Sequence, residues 1–394
     1  MEIKTLIIKG PKIYTEDEIL IDHQLVIERQ CIKSIEPISP RQKTSAAKEL
    51  TFPENYHLIP GMIDLHIHGA FGADVMDCSI EALETISNAL PKEGVTSFLA
   101  TTMTAPKKDI EKALSCVKSF TEIQNHYTGA QLLGVHLEGP FISPQKKGAQ
   151  NEKDIIPFDE SLFANWQKIS GDKIKIITLA PEIIDKTCIK KLVKNQHVII
   201  SAGHSNATYQ ETLNAIDAGV SYATHLFNGM RAIDHREPGV AIALLLSNQV
   251  CVELIADGFH LHPEMIKLVT KLKPLEKIIL VTDAMCAKGM PEGVYELGGQ
   301  KVKVKENKAI LERNNNVLAG SVLTMNTALK NFMAYSGLSI QNAIKTISAN
   351  QAKKINVFNK KGSIALNKDA DLVVLNERLE VILTICQGNI SFQK

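Results

Sequence analysis

Eight short apolar runs recur along the middle of the chain, each followed by a connecting stretch, and nothing else in the sequence restricts the fold as much. In order they are "GMIDLHI", "VTSFLATT", "QLLGVHLEG", "IKIITLAPE", "HVIISAGHS", "VSYATHLFN", "VCVELIADG" and "KIILVTDA". Amphipathic helical runs separate them, for example residues 81–94, 108–120, 186–196 and 263–273. Strands that read as nearly continuous apolar runs are buried on both faces, as parallel strands covered by crossover helices are. Eight such units are what a closed (β/α)8 barrel requires. An open doubly wound sheet is the alternative, but no Gly-x-Gly-x-x-Gly follows an early strand. We therefore expect an α/β chain whose central part, residues 61–356, is a TIM-like barrel.

The two ends have a different texture. Residues 3–36 break into short alternating strands punctuated by Gly, Pro and acidic turns, and residues 362–392 repeat that pattern. Residues 1–60 and 357–394 should pair into one small discontinuous β-sandwich domain. Within the central part, residues 295–320 alternate with period two and carry a turn-rich "ERNNN". This predicts a β-hairpin insertion near 295–318, after the eighth strand, with the helices "TMNTALKNFMAYSG" and "IQNAIKTISAN" closing the barrel.

Charge narrows the partners. The formal net charge is +1 over 394 residues, with Lys and Arg scattered, so there is no footprint for nucleic acid or an anionic membrane. The run "AIALLL" at 241–246 is far too short to span a bilayer, and the N-terminus has no small-residue cleavage site. A cytoplasmic protein is expected. Its seven Cys (31, 78, 116, 188, 251, 286 and 386) are widely spaced without a Cys-x-x-Cys pair, which argues against a disulfide framework or a thiolate metal site. Most should be buried small apolar residues.

Ionisable residues fall in register on the eight runs. Asp64, His66 and His68 alternate at the end of the first, so they share one face of a strand. His136 and Glu138 end the third, His204 the fifth and His225 the sixth, while His260 follows the seventh and Asp283 the eighth. In a barrel these C-terminal ends converge on one mouth. Four His, a Glu and an Asp suit a divalent metal of intermediate softness, Zn2+ first, with Fe2+, Mn2+ or Co2+ as alternatives; the set lacks thiolate and is too rich in nitrogen for Mg2+ or Ca2+. Such a metal lowers the pKa of bound water from 15.7 towards about 7. A carboxylate at the mouth, such as Asp283, would take that proton and return it to a leaving group. Asp64 reads as an orienting residue deeper in the strand, and His57, His126, His197, His235 and His262 receive no ligand role.

The motifs "PGMIDLHIHG", "GVHLEGPFISPQKKGAQN", "SAGHSNAT", "ATHLFNGMRAIDHREPG", "ELIADGFHLHPEMI", "LVTDAM" and "LAGSVLTMNTAL" carry a resemblance that spans nearly the whole chain. The sequence resembles the N-acetylglucosamine-6-phosphate deacetylase family of the amidohydrolase superfamily. That resemblance implies hydrolysis of the 2-acetamido group of a sugar 6-phosphate, giving glucosamine 6-phosphate and acetate. It implies that Glu138, His204 and His225 are the principal metal ligands, with Glu138 where other amidohydrolases carry a carboxylated Lys. Asp283 would be general base and acid as well as a ligand, and His66 with His68 would complete a second metal position, so one or two metals per subunit are expected. Substrate contacts carry over to Ala149, Asn228, Gly229, Arg236, Asp257, His260, Ala319, Gly320 and Ser321, and His136 is a candidate to contact the carbonyl or oxyanion. Arg236 would reach the phosphate from a neighbouring subunit, which implies a homodimer. One departure is Gln150, where some relatives have His.

Phosphate recognition by Arg agrees with the residues themselves, since there is no Gly-x-x-x-x-Gly-Lys loop to cradle the group. The alternatives are an N-acetylgalactosamine-6-phosphate deacetylase or another amidohydrolase cleaving a C–N amide bond. A cyclic-amide hydrolase would want a bridging Lys at the end of the fourth strand, where this chain has "ITLAPE". A catalytically dead barrel would have eroded ligands, and all six are in place.

Overall fold

The computed structural model describes residues 5–38, 47–124, 129–196, 198–314 and 317–394. His126 and His197 lie outside these residues. All eight apolar runs form parallel strands of one sheet: β1 (Met62–Ile67), β2 (Val95–Thr102), β3 (Gln131–Glu138), β4 (Ile174–Leu179), β5 (Ile199–Ala202), β6 (Val220–Ala223), β7 (Cys251–Leu254) and β8 (Ile278–Leu280). The sheet runs in sequence order. Backbone pairing of β1 with the segment after β8 closes it: His68 N–H donates to the Ala284 carbonyl at 2.8 Å, and Ile67 and Ala284 form a parallel bridge. All eight residues of β2 are buried, which is why its polar pattern gives no alternation.

A helix follows each strand: α1 (Ile80–Ala89), α2 (Lys107–Ile123), α3 (Glu160–Ser170), α4 (Lys186–Gln196), α5 (Tyr209–Ala218), α6 (Gly239–Leu246), α7 (Pro263–Leu272) and, after an insertion, α8 (Met325–Ser336). Their starts are written locally. Ser79 caps α1 by accepting from the Ala82 amide, and Thr208 with Glu211 forms a reciprocal capping box on α5. Helix α2 turns Ile110, Ala113, Leu114, Val117 and Phe120 to the sheet at helical spacing. Each large apolar side chain so buried contributes about 1.5–3 kcal/mol. None of the described helices is long and apolar enough to cross a membrane.

Strands from both ends of the chain share a six-stranded sheet, in which Leu372–Leu375 pairs with His57–Pro60 and in turn with Val381–Cys386. A four-stranded sheet of N-terminal strands packs on it through Leu6, Leu25 and Ile27 against Ile13, Leu58, Leu372 and Leu383.

Three details differ from the sequence expectation. The insertion is a three-stranded antiparallel sheet, Gly293–Leu297, Gln300–Lys305 and Lys308–Leu311, and not a single hairpin. Two tight turns make it so, at Gly298–Gly299 and Glu306–Asn307, all four residues having positive φ. The segment "IQNAIKTISAN" does not form one helix, because Ser348 at φ −146° and ψ −74° separates a helical stretch at 340–347 from Ala349–Lys354. Of the seven cysteines only Cys251 and Cys386 are buried; the rest sit half-buried or, for Cys31, exposed, and all are free.

Candidate active site

The pleat of β1 sends Asp64, His66 and His68 to one face, but at different depths. Asp64 is fully buried and accepts from the Thr282 hydroxyl at 2.6 Å and from the Thr282 and His66 amides. It ties β1 to the end of β8, and burial raises its carboxyl to about 6. His66 and His68 stand above it. Around them are Glu138, the last residue of β3, with His204, His225 and Asp283 just beyond β5, β6 and β8.

Glu138 is the hub. Its Oε1 lies 3.1 Å from His225 Nε2, 3.3 Å from His204 Nε2 and 3.6 Å from His66 Nε2, while Oε2 lies 3.4 Å from His68 Nε2. Asp283 Oδ1 is 3.3 Å from His66 Nε2 and 3.2 Å from His68 Nε2. Two groups able to hold a metal ion share this space: Glu138 with His204 and His225, and His66 with His68 and Asp283. A third, His66 with His136 and Glu253, lies beneath them in the barrel.

The donor chemistry fits a divalent cation. Nδ1 of His66 faces Glu253 Oε2 at 2.9 Å, and Nδ1 of His68, His204 and His225 faces the carbonyls of Thr101, Lys146 and Asn228 at 3.2, 2.8 and 3.1 Å. Those oxygens only accept, so each Nδ1 carries the hydrogen and each neutral ring presents an Nε2 lone pair to the carboxylates. Lone pairs then face lone pairs, which is stable only with positive charge between them. His66 Nε2 is buried without a hydrogen-bond partner.

In the chain alone, protons meet the same need. Burial disfavours a charged His66, yet Asp283, Glu253 and Glu138 outweigh it and raise the ring to about 9. His68 and His225 rise likewise, against burial, through their bonds to Asp283 and Glu138. Burial would lift the carboxyls of Glu138 and Asp283, but the surrounding imidazoles hold both well below the usual carboxylate range.

The backbone bends sharply to aim these groups. His204, His225 and Asp283 have φ of 48°, 27° and 49°. A left-handed conformation costs a non-glycine residue about 1–2 kcal/mol, and three such residues at one site are held there by the barrel around them.

A cleft of about 280 Å³ opens over the cluster, lined by His68, Glu138, His204, His225 and Asp283 together with Ala149, Gln150, Asn228, Gly229, His260 and Gly320. The insertion and the segment after it add Leu297, Val317 and Leu318. Gly229, at φ +60°, allows close approach, since a Cβ there would stand 2.9 Å from His204 Nδ1. Asp257 lies behind His260, whose Nδ1 it holds at 2.6 Å, leaving Nε2 available to a ligand. Ala319 is fully buried, and Ser321 donates to the Thr282 carbonyl at 2.6 Å, so both brace the wall at Gly320.

Two of the expected residues stand apart from the cleft. His136 is fully buried with Nδ1 on the Leu65 carbonyl and Nε2 on Thr178 Oγ1 at 2.6 Å, so neither nitrogen faces a carbonyl in the cleft; burial lowers its pKa to about 4. Arg236 is exposed, its amide bonded to Asp234, and it is not among the residues that line the cleft of its own chain. The remaining His within the described residues have ordinary duties: His23 Nδ1 bonds the Ile21 carbonyl, His57 pairs with Tyr14, His262 caps α7 and His235 is exposed.

Sequence reasoning missed Glu253, which is fully buried in β7 and bonded to His66. The available signal was a carboxylate inside the apolar run "VCVELIADG". Gln150 also gains a place: Nε2 donates to Glu138 Oε2 at 2.7 Å while Oε1 accepts from the Thr104 amide at 2.7 Å.

Comparison with known proteins places this geometry. The model of the amidohydrolase family matches residues 57–391. The chain is 43% identical over 390 residues, 99% of its length and 98% of the relative's, to an N-acetylglucosamine-6-phosphate deacetylase of Bacillus subtilis (strain 168). It is 36% identical over 392 residues, 98% of this chain and 99% of the other, to an N-acetylgalactosamine-6-phosphate deacetylase of Escherichia coli O157:H7. The crystal structure of the N-acetylglucosamine-6-phosphate deacetylase from Pasteurella multocida superposes with a TM-score of 0.91 at 31% identity, covering 98% of this chain and 99% of that one. With the eight-stranded barrel and the His, Glu and Asp cluster at the ends of its strands, these matches show that the chain belongs to the amidohydrolase family.

Proposed function

We propose that the chain hydrolyses the acetamide of N-acetyl-D-glucosamine 6-phosphate, releasing D-glucosamine 6-phosphate and acetate in the breakdown of amino sugars. The observation that carries this reading is the convergence of Glu138, His204 and His225 with Asp283 on one cleft. The higher identity to the glucosamine enzyme than to the galactosamine one, 43% against 36%, favours the gluco epimer.

Glu138, His204 and His225 would hold one divalent cation, and His66, His68 and Asp283 a second, Zn2+ suiting the nitrogen-rich, thiolate-free set best. When bound, the cation supplies Lewis acidity that lowers the pKa of water and polarises a carbonyl. Asp283 works beside it. Its carboxylate opens on the cleft, takes a proton from the attacking water and delivers it to the departing amine nitrogen. His260, steadied by Asp257, orients the sugar or its carbonyl through Nε2. Asn228, Gly229, Ala149 and the wall formed by Ala319, Gly320 and Ser321 shape the sugar site.

The phosphate lacks a cation of its own. No Lys or Arg is among the described residues that line the cleft, and Arg236 stands exposed outside it. A homodimer in which Arg236 enters the neighbour's cleft supplies the missing charge. Seven free cysteines suit a reducing cytoplasm. The reading is tested by acetate release from N-acetylglucosamine 6-phosphate, measured beside the unphosphorylated sugar and the galactosamine epimer with divalent metal added. Preference for the first substrate is expected. No release from any of the three by metal-loaded protein overturns the reading.

A further inference from the structure

His66 differs from the other imidazoles of the cluster in what stands behind it. Nδ1 of His68, His204 and His225 rests on neutral backbone carbonyls, whereas Nδ1 of His66 rests on the Glu253 carboxylate at 2.9 Å. A charge-assisted bond fixes the tautomer more firmly than a carbonyl does and makes the opposite nitrogen a better donor to a cation.

The same carboxylate has a second duty. Glu253 Oε2 also accepts the His225 amide at 2.9 Å, at the residue where φ is 27°. One oxygen therefore ties the imidazole on β1 to the strained turn after β6. The other, Oε1, is buried without a hydrogen-bond partner, 4.0 Å from His136 Nδ1. Glu253 and His66 are both fully buried, so bulk solvent does not screen this carboxylate's charge. Its position makes sense where more than one positive charge gathers above His66.

We infer that Glu253 is a positioning residue that sets occupancy of the His66, His68 and Asp283 position, acting through the His66 ring and not through substrate. The inference rests on the proposed metal-dependent function and deepens it, since it separates the two cation positions by what supports them. The Glu138, His204 and His225 position has only carbonyls behind its imidazoles.

The test is metal binding, read without turnover. Glu253→Gln keeps the shape and an acceptor oxygen for His66 and the His225 amide, but removes the charge. Metal-stripped protein is titrated with Zn2+ by competition against a chromogenic chelator, and bound metal is counted after dialysis. The unaltered chain should bind two equivalents. In Glu253→Gln the weaker equivalent should lose affinity by roughly 10- to 100-fold, the usual effect of removing a ligand's outer partner, with the tighter one little changed. In a His66→Asn background, which should bind one equivalent, Glu253→Gln should add no further loss.

Equal affinities in the unaltered chain and Glu253→Gln overturn the inference. So does parallel loss of both equivalents with a lower Tm of the stripped protein, which would assign Glu253 to folding alone. A single equivalent in the unaltered chain overturns it too while leaving the proposed function standing; no equivalent at all takes that function with it.

Discussion

The Asp283 amide donates to the His66 carbonyl at 2.8 Å, so the backbone bond that helps close the barrel also sets the distance between a carboxylate and an imidazole of the site. Side-chain chemistry at Asp283 is therefore separable from the fold. Asp283→Asn keeps the amide and the left-handed backbone, which Asn tolerates. Turnover should fall by roughly 10²-fold or more, the worth of a positioned acid and base, with barrel stability retained. Steady-state acetate release beside a thermal melt checks both; near-normal kcat would remove Asp283 from proton transfer.

Gln150 is held at both ends, by Glu138 and by the Thr104 amide. Gln150→Ala leaves a buried donor without a partner and frees one oxygen of the Glu138 carboxylate. A loss of about 1–3 kcal/mol is expected from the orphaned amide, with weaker metal retention on dialysis. Denaturant unfolding of the metal-free protein isolates the first effect, and an unchanged midpoint would show that the loop relaxes to satisfy Thr104.

Lys288 and Glu93 form a buried ion pair at 2.6 Å, and the second Glu93 oxygen accepts the Met325 amide at the start of α8. Lys288→Ala should cost about 3–5 kcal/mol by leaving that carboxylate uncompensated. The pair joins the loop that follows Asp283 to the turn before β2. A Tm within a degree of the unaltered chain would show that the pair is not needed.

On the proposed function, metal and protons compete for the same imidazoles. His66 rises from 6.5 to about 9 in the folded, metal-free chain, so its contribution to stability is full below pH 6.5 and is lost as pH rises through about 9. The Tm of chelated protein should fall over that window, and the rise in Tm on adding Zn2+ should grow over it, because binding no longer has to displace a proton. Melts at half-unit pH steps with and without metal test this; a Zn2+ effect that shrinks with pH contradicts it.

Arg236 offers a test of assembly. Arg236→Ala should raise KM for the phosphorylated sugar by roughly 10- to 100-fold, the worth of a lost charged hydrogen bond, and leave metal content alone. Mixed dimers of Arg236→Ala and Asp283→Asn subunits should regain activity, because one of their two clefts has both residues intact. Mixtures shown by native mass spectrometry to have exchanged, yet no more active than their parents at substrate concentrations below KM, would place Arg236 in its own subunit's chemistry or in none.

The barrel was legible in the sequence because parallel strands buried on both faces leave runs such as "VTSFLATT" that few other environments allow. The cluster of ionisable residues was legible for a related reason. Strand ends share a mouth, so the polar residues closing each run could be gathered without knowing any distance. Glu253 escaped because it sits one position before the end of its strand, 187 residues from its partner, and looks like a flaw in an apolar run. His136 misled for the converse reason: it shares a face with Glu138 at the end of β3, but one pleat deeper, where Leu65 and Thr178 take both nitrogens. The insertion was read as one hairpin because "ERNNN" is the most conspicuous turn; Ile310 and Leu318 on either side of it do bridge antiparallel, but Gly298–Gly299 and Glu306–Asn307 add two further reversals.

The left-handed backbone at His204, His225 and Asp283 has a consequence for anyone who would redesign this barrel. Glycine or asparagine at those three positions would relieve torsional cost, so a search that scores only backbone strain would choose to replace them. All three also face the cleft. Improving the scaffold by that criterion would erase its chemistry first, which makes these three turns the places to freeze before any other position is varied.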